Sequence, residues 1–173
     1  MSERGSVVNL NKVKRDDLIY LAGLIDGDGC FFISKRTIPT KAGLTQYMLK
    51  LQVHCIDEGH INHLYSVYGG VKVIYKRKPP RRNLYGVEFT GKLLTNMCEL
   101  LLPFLKLKKP NCENMLKMRK TYNGTGGNIV VPNDILIIRD ECFAISRSLN
   151  THKPFVIPPC CPSALSSEEI QVN

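Results

Sequence analysis

The chain contains 173 residues, with 24 Lys and Arg against 15 Asp and Glu, which gives a formal net charge of +9. Hydrophobic residues make up 43% and charged residues 23%, so the composition excludes a disordered chain and predicts one domain with its own core. The apolar stretches are too short for a membrane-spanning helix, and we expect no membrane partner. The N-terminal residues lack the apolar segment of a secretion signal, which predicts an intracellular protein.

Positive charge is concentrated in the middle of the chain. Residues 35–120 contain 17 basic and 5 acidic residues, a balance of +12, whereas the remainder contains 7 and 10, a balance of −3. Such a concentration is typical of a surface that binds a polyanion such as nucleic acid. A basic surface without a partner is the alternative.

The seven cysteines do not follow the spacing of a zinc site. They form neither a CxxC pair nor a combination of such a pair with spaced histidines. We therefore expect reduced thiols, most of them buried.

Helices and strands alternate along the predicted fold. Asp16 and Asp17 precede an apolar run and can cap a first helix, which is expected to end near Gly27 and Gly29. Four strands are predicted at residues 30–36, 47–54, 71–77 and 84–89. Further helices are predicted at residues 58–68, where Asp57 is the cap, 91–102, 110–120 and 133–149.

These elements predict an α+β fold with the order αββαββα and extra C-terminal helices. The four strands would form a curved antiparallel sheet that has helices on one face and is open on the other. We assign residues 1–15 to an N-terminal arm, 16–149 to the domain, and 150–173 to a Pro- and Ser-rich tail. Within the domain, residues 123–128 (NGTGGN) have the composition of a flexible joint.

The segment LAGLIDGDG at residues 21–29 carries the strongest chemical signal. Gly23 and Gly27 lie four residues apart on one helical face, and glycines at this spacing allow another helix to approach closely. Asp28 stands where the helix ends and the first predicted strand begins. A carboxylate there can bind Mg²⁺ together with a backbone carbonyl. The alternative is that Asp26 and Asp28 only satisfy a turn.

The same segment closely resembles the LAGLIDADG signature of homing endonucleases and differs from it only at Gly27. The predicted order of elements resembles the core of that family, and PFLKLK at residues 103–108 resembles the segment that ends in the family's basic residue. The resemblance covers about residues 16–122. Because the motif occurs once, the sequence is similar to the single-motif subgroup, whose members act as homodimers.

The resemblance implies a role for each matching residue. Asp28 would be catalytic and would bind Mg²⁺ with help from the Gly27 carbonyl, although Mn²⁺ or Ca²⁺ could occupy the same site. Lys108 would be a catalytic residue near the scissile phosphate, and Asp26 would be structural. The dimer interface between two motif helices would contain Leu21, Gly23, Leu24 and Gly27.

One position departs from the family pattern. Cys55 stands where family members often have a Gln that orders water, and a thiol is a poorer hydrogen-bond partner than an amide. His54 or Asp57 could replace that function.

Strand alternation predicts which side chains would contact DNA in the major groove. The predicted contacts are Ser34, Arg36, Lys50, Gln52, His54, Lys72, Lys76 and Glu88, with Ile74 and Gly86 on the same face. The basic turn KRKPPRR at residues 76–82 would instead bind phosphates.

The resulting hypothesis is a Mg²⁺-dependent, site-specific, double-strand DNA endonuclease. It would act as a homodimer on a long, nearly palindromic target and leave short 3′ overhangs. Its gene would lie in an intron, and the protein in a chloroplast or mitochondrion, or in the cytoplasm or nucleoid of a prokaryote. The alternatives are a maturase that binds intron RNA, a non-cleaving DNA-binding protein of the same fold, and an unrelated basic nucleic-acid-binding protein.

Overall fold

The computed structural model describes residues 3–4, 13–38, 44–122 and 131–151. Its strands are β1 (Glu3–Arg4), β2 (Gly29–Ile38), β3 (Leu44–Cys55), β4 (Val71–Tyr75) and β5 (Leu84–Thr90). Its helices are α1 (Arg15–Asp28), α2 (Glu58–Tyr68), α3 (Gly91–Leu101), α4 (Lys109–Arg119) and α5 (Asn133–Thr151). Among the described helices, none is both long and apolar enough to cross a membrane.

All strands belong to one antiparallel sheet with the order β1-β4-β5-β3-β2. On one face, alternate residues such as Phe31, Leu51 and Phe89 are buried beneath the helices. The side chains between them point to the opposite face, where Phe32 and Met48 are about half exposed, at 43% and 50%. We call this second surface the open face. The predicted α+β fold with one uncovered sheet face is confirmed.

Helix α1 begins at Arg15, before the residues that were predicted to cap it. Lys14 is the N-cap, and its side chain makes no capping hydrogen bond. Asp16 and Asp17 lie within the first turn, so their prediction as caps was wrong. Their negative charges still favour the positive end of the helix dipole.

Helix α2 has the predicted boundaries. The Asp57 carboxylate accepts a hydrogen bond of 2.7 Å from the backbone N–H of His60, which confirms it as the cap. Gly69 and Gly70 follow the helix with φ angles of 71° and 102°, a backbone region that favours glycine. The chain can therefore leave α2 and enter β4 directly.

The described ends of the chain differ from the prediction. Two residues of the assigned arm, Glu3 and Arg4, form β1 against β4, so the sheet has a fifth strand that the sequence analysis missed. Asn150 and Thr151 belong to α5 rather than to the tail. Residues 123–128, 152–173 and most of the arm lie outside the described residues. The five described cysteines are free, and three of them are buried.

Gly29 joins α1 to β2 at very short range. A Cβ added at this residue would lie 2.7 Å from Ile25 Cα and 2.9 Å from Ile25 O. These are backbone atoms of the preceding helical turn, so the contact can be relieved only by moving the helix end.

We therefore expect Gly29→Ala to lower the free energy of unfolding by about 1–3 kcal/mol, the usual cost of overpacking. Urea denaturation measured at several protein concentrations tests this. Ser34→Ala on the same strand is the control and should change stability by less than about 0.5 kcal/mol. An unaltered urea midpoint for Gly29→Ala would show that the junction tolerates a methyl group.

Candidate active site

The end of α1 exposes one carboxylate. Asp28 is the last residue of the helix and is exposed, and it lies between exposed Gly27 and buried Gly29. Among the described residues, no side chain or backbone group pairs with the Asp28 carboxylate. The described residues also contain no group of three or more His, Cys, Asp or Glu that could hold a metal ion. The chain therefore supplies a single free carboxylate at this junction.

The Asp26 carboxylate, unlike that of Asp28, is bound by a segment that is distant in the sequence. Its two carboxylate oxygens accept hydrogen bonds of 2.8 Å each from the backbone N–H groups of Lys106 and Lys108. Burial acts to raise the pKa of Asp26, but the amides of residues 106–108 and the charge of Lys108 outweigh burial. The pKa therefore lies below its usual value.

The Lys108 side chain forms hydrogen bonds back to the end of α1. Its ammonium group donates to the carbonyl oxygens of Ile25, Gly27 and Gly29 at 2.8, 3.1 and 2.6 Å. These carbonyls belong to the C-terminal end of α1, where a cation is favoured by the helix dipole. We call the reciprocal bonds of Asp26 and Lys108 the 26–108 clamp. It holds the backbone on both sides of Asp28.

The clamp also determines which groups remain for a cation. A Lys ammonium has three donors, and Lys108 directs all three at carbonyls. The Gly27 carbonyl accepts one of these bonds and keeps a second lone pair. Mg²⁺ prefers oxygen ligands and commonly combines one or two carboxylates with water and phosphate oxygens. Asp28 and the Gly27 carbonyl therefore fit a hard divalent cation.

Of Cys55 and its two possible replacements, His54 and Asp57, only Cys55 and Asp57 use their polar groups in other hydrogen bonds within the described part of the chain. The Cys55 thiol donates to the backbone carbonyl of Asp57 at 3.0 Å. The Asp57 carboxylate caps α2. The His54 ring packs against Gly86, and its buried Nε2 has no hydrogen-bond partner among the described residues. A water-ordering role for any of them stays a prediction.

The open face carries most of the predicted contact residues. The strand register places six of them on it: Ser34, Arg36, Lys50, Gln52, His54 and Glu88. Gln52 pairs with Cys30 of β2 on one side and with Glu88 of β5 on the other, so these three residues form a row across the open face. Cys30, at the end of this row, is only two residues after Asp28. The open face therefore starts at the junction that carries the free carboxylate.

A polar network occupies the centre of the open face. Lys50 Nζ lies 2.8 Å from Glu88 Oε2, and the Tyr75 hydroxyl donates to Glu88 Oε1 at 3.1 Å. The His54 ring meets the Tyr75 ring edge-on with centroids 5.1 Å apart. Burial lowers the pKa of His54, and Lys50 and Arg77 act in the same direction against Glu88, so neutral His54 is favoured.

Comparison with known proteins identifies this arrangement. The sequence pattern of the family described as LAGLIDADG endonuclease matches residues 21–122, which include the second half of α1, the strands of the open face from β2 to β5 and the 26–108 clamp. The chain belongs to the LAGLIDADG endonuclease family. One copy of the motif in 173 residues fits the single-motif subgroup. Among curated proteins, none matches the sequence.

Solved structures share the LAGLIDADG fold with this chain. I-CvuI, solved in complex with DNA, has a TM-score of 0.62 and 19% identity, and the match covers 79% of this chain and 82% of that chain. I-TnaI has a TM-score of 0.52 and 16% identity, covering 78% and 93%. The archaeal intron-encoded I-Vdi141I, solved with DNA, has a TM-score of 0.52 and 14% identity, covering 75% and 98%. At these identities the likeness establishes the fold.

Lys72 does not lie on the open face, so its predicted position was wrong. It is paired with Val87, whose side chain is buried beneath the helices. Its ammonium lies 3.4 Å from Asn62 Oδ1 and 4.9 Å from the centre of the Tyr65 ring, both on α2. The same alternation places Ile74 on the helix side, while Lys76 lies beyond the end of β4.

On β4 the strand register places Tyr75, rather than Lys72, on the open face, and the sequence pattern did not predict this. The sequence signal for Tyr75 was weak, because a lysine that alternates with valines normally lies on the solvent side of a strand. On this short strand Val71 and Val73 are only partly buried, and they pair with Glu88 and Gly86 of the open face.

The exposed side of α1, which carries Ile19, Tyr20, Gly23 and Gly27 and which we call its outer side, differs from the predicted dimer interface. Leu21 is completely buried in the core of the protomer, so its assignment to a dimer interface was wrong. Ile19 and Tyr20 are instead exposed by 46% and 51%. Gly23 and Gly27 are exposed, and a Cβ added at either would have no neighbour within 4 Å among the described residues.

We expect Asp26→Asn to lower the free energy of unfolding by about 1–2 kcal/mol near neutral pH, since it weakens two charge-assisted hydrogen bonds. The folded-state pKa of Asp26 is lowered, so this contribution is complete above the unfolded value of about 3.9 and is lost as pH falls through the folded pKa. The stability difference between wild type and variant should therefore shrink below about pH 4.

Urea denaturation at a series of pH values measures this difference. Asp28→Asn, two residues away, is the matched control and should leave stability within about 0.5 kcal/mol of wild type, because Asp28 is exposed and without a partner. Equal losses for the two variants would contradict the assignment of the clamp to Asp26.

Proposed function

We propose that this protein is a Mg²⁺-dependent, site-specific, double-strand DNA endonuclease that acts as a homodimer. The observation that carries the proposal is the free Asp28 carboxylate, held by the 26–108 clamp at the edge of the open face in a LAGLIDADG endonuclease. A basic duplex-binding surface and a single acid per protomer together suit the cleavage of two strands by two protomers.

The charge distribution supports DNA as the partner. Residues 76–82 contain five basic residues, and every residue of this turn is exposed. Exposed Lys and Arg at a hairpin end contribute affinity through phosphates, whereas side chains on the open face can contact base edges. Ser34, Arg36, Lys50, Gln52 and His54 are the proposed contacts on that face.

The proposed chemistry is phosphodiester hydrolysis beside Asp28. Asp28 would hold the divalent cation with the Gly27 carbonyl, and a bound cation would supply Lewis-acid stabilisation of the charge that develops on the phosphate. I-CvuI has been solved with DNA in the presence of Mg²⁺ and, in a second structure, Ca²⁺, which supports a divalent cation. Lys108 would keep the turn in place and add positive charge beside the Gly27 carbonyl.

The outer side of α1 supports a homodimer. Ile19 and Tyr20 expose apolar surface, and Gly23 and Gly27 lie beside them with open space above. Two such helices could pack with their backbones close together, with Leu24 at the margin of the contact. This pairing would bring two Asp28 carboxylates to neighbouring positions, one for each DNA strand.

The symmetry of the dimer predicts the form of the target. A two-fold protein reads two half-sites related by the same symmetry, so the target should be nearly palindromic. We propose that cleavage leaves short 3′ overhangs and that the gene lies in an intron, whose insertion point would be the target.

We expect Asp28→Asn to abolish cleavage of the intron-free insertion site, by at least roughly 10³-fold, while binding is retained. Gel analysis of a labelled duplex with and without Mg²⁺ measures this. Glu113→Gln, an exposed charge change on α4, is the matched control and should cleave like wild type. Cleavage that persists in Asp28→Asn contradicts the catalytic assignment. Binding by wild type without cleavage, or enhanced splicing of the intron transcript, would instead favour the DNA-binding or maturase alternative.

We expect Gly23→Leu to abolish dimerisation and cleavage together, because the side chain would separate the two helices. Among the described residues, no atom outside the helix backbone lies within 4 Å of a Cβ added at Gly23, so the fold should persist. Sedimentation equilibrium and the cleavage assay test this. Ser66→Leu, at an exposed position on α2, is the control for added apolar surface. A Gly23→Leu protein that sediments as a dimer would refute this packing.

A further inference from the structure

A buried carboxylate lies in the middle of the surface proposed to bind a polyanion. Glu88 is only 8% exposed, although its side chain belongs to the open face. An unpaired acid there would repel phosphates and lose hydration. Its surroundings must therefore compensate its charge.

Both oxygens of Glu88 are already in use. Oε2 pairs with Lys50 Nζ at 2.8 Å, and Oε1 accepts from the Tyr75 hydroxyl at 3.1 Å. Burial and the bond to Glu88 raise the pKa of Tyr75, so its hydroxyl stays a donor. Each oxygen keeps a second lone pair, but the Glu88 side chain is only 11% exposed, so burial limits the access of a base to it.

Lys50 is restrained by the same contacts. Its side chain is about a quarter exposed, at 26%, and one ammonium donor is directed at Glu88. Lys50 pairs with Phe32 on one side and with Thr90 on the other, so it stands in the middle of the sheet rather than at its rim. A neutralised lysine in this position adds little attraction for phosphates, but its remaining donors have a defined place.

We propose that Glu88, held by Tyr75, is a positioning residue that withholds Lys50 from phosphates and fixes it as a specificity-determining contact to a base edge. The inference rests on the proposed function and deepens it. Glu88 does not read a base itself, which replaces the direct DNA contact that strand alternation predicts for it. The network lowers affinity for any duplex and raises discrimination for the target.

The salt dependence of DNA binding separates this role from a structural one. In Glu88→Gln the Lys50 charge is released to neutralise a phosphate. The slope of log K against log salt should therefore become steeper by about 0.9 per protomer, measured on an arbitrary duplex by fluorescence anisotropy. The ratio of target to non-target affinity should fall by at least roughly 5-fold. Tyr75→Phe should change both quantities in the same direction by a smaller amount.

Two further variants make the test specific. Glu99→Gln removes an exposed carboxylate on α3, the helix-covered side of the sheet, and should leave the slope and the ratio unchanged. Adding Lys50→Met to Glu88→Gln removes the released charge, so the slope should return to the wild-type value while discrimination stays low.

Other outcomes overturn the inference. Wild-type slope and discrimination in both Glu88→Gln and Tyr75→Phe would show that the network does not restrain Lys50. If Glu88→Gln fails to fold, the values for Tyr75→Phe alone decide. Loss of preference at one base pair with an unaltered slope would make Glu88 the base-reading residue. Failure of the wild type to bind any duplex would instead overturn the proposed function, and this inference with it.

Discussion

The 26–108 clamp is the contact on which the candidate site depends. Helix α1 has no side-chain N-cap and no basic residue in its last turn, so its own sequence leaves its C-terminal carbonyls without a cation. Lys108 supplies that cation from a segment about 80 residues later, and Asp26 returns two hydrogen bonds to the same segment. Since the clamp holds the carbonyls before and after Asp28, the neighbouring acid can remain unpaired without leaving its place. Of the two motif aspartates, one therefore provides the geometry and the other the free charge.

The two faces of the sheet differ in composition, because one forms the core and the other is uncovered. Aliphatic and aromatic side chains on one face form the core with the helices, and α5 adds Asp140, which binds Lys35 and the Tyr47 hydroxyl from that side. The open face is freed from packing and can carry charged groups. It is not uniformly basic, because Glu88 offsets Lys50 at its centre while the exposed charges of residues 76–82 stay at the hairpin end. Under the proposed function, affinity and discrimination would depend on different parts of one surface.

Local chemistry explains what could be predicted from the sequence. The Asp57 cap, the stop at Gly69 and the position of Asp28 depend on residues close together in the chain, and the structure has each of them where the pattern indicated. The family resemblance pointed to Lys108, but its three carbonyl partners are contacts across the fold that no local pattern contains. Lys72 was misplaced for a related reason: α2 offers its ammonium an aromatic ring and an amide, so a charged side chain lies on the helix side.

The outer side of α1 connects these features to assembly. A helix in a single protomer has no need of two glycines with open space above them, since each costs about 1 kcal/mol relative to Ala. Nor does burial within the protomer account for Ile19 and Tyr20, which remain about half exposed beside those glycines. A second copy of the same helix would cover this apolar surface. The glycines would then allow the two helix backbones to approach closely. If two copies pair through this surface, as proposed, the pairing would place a second Asp28 beside the first.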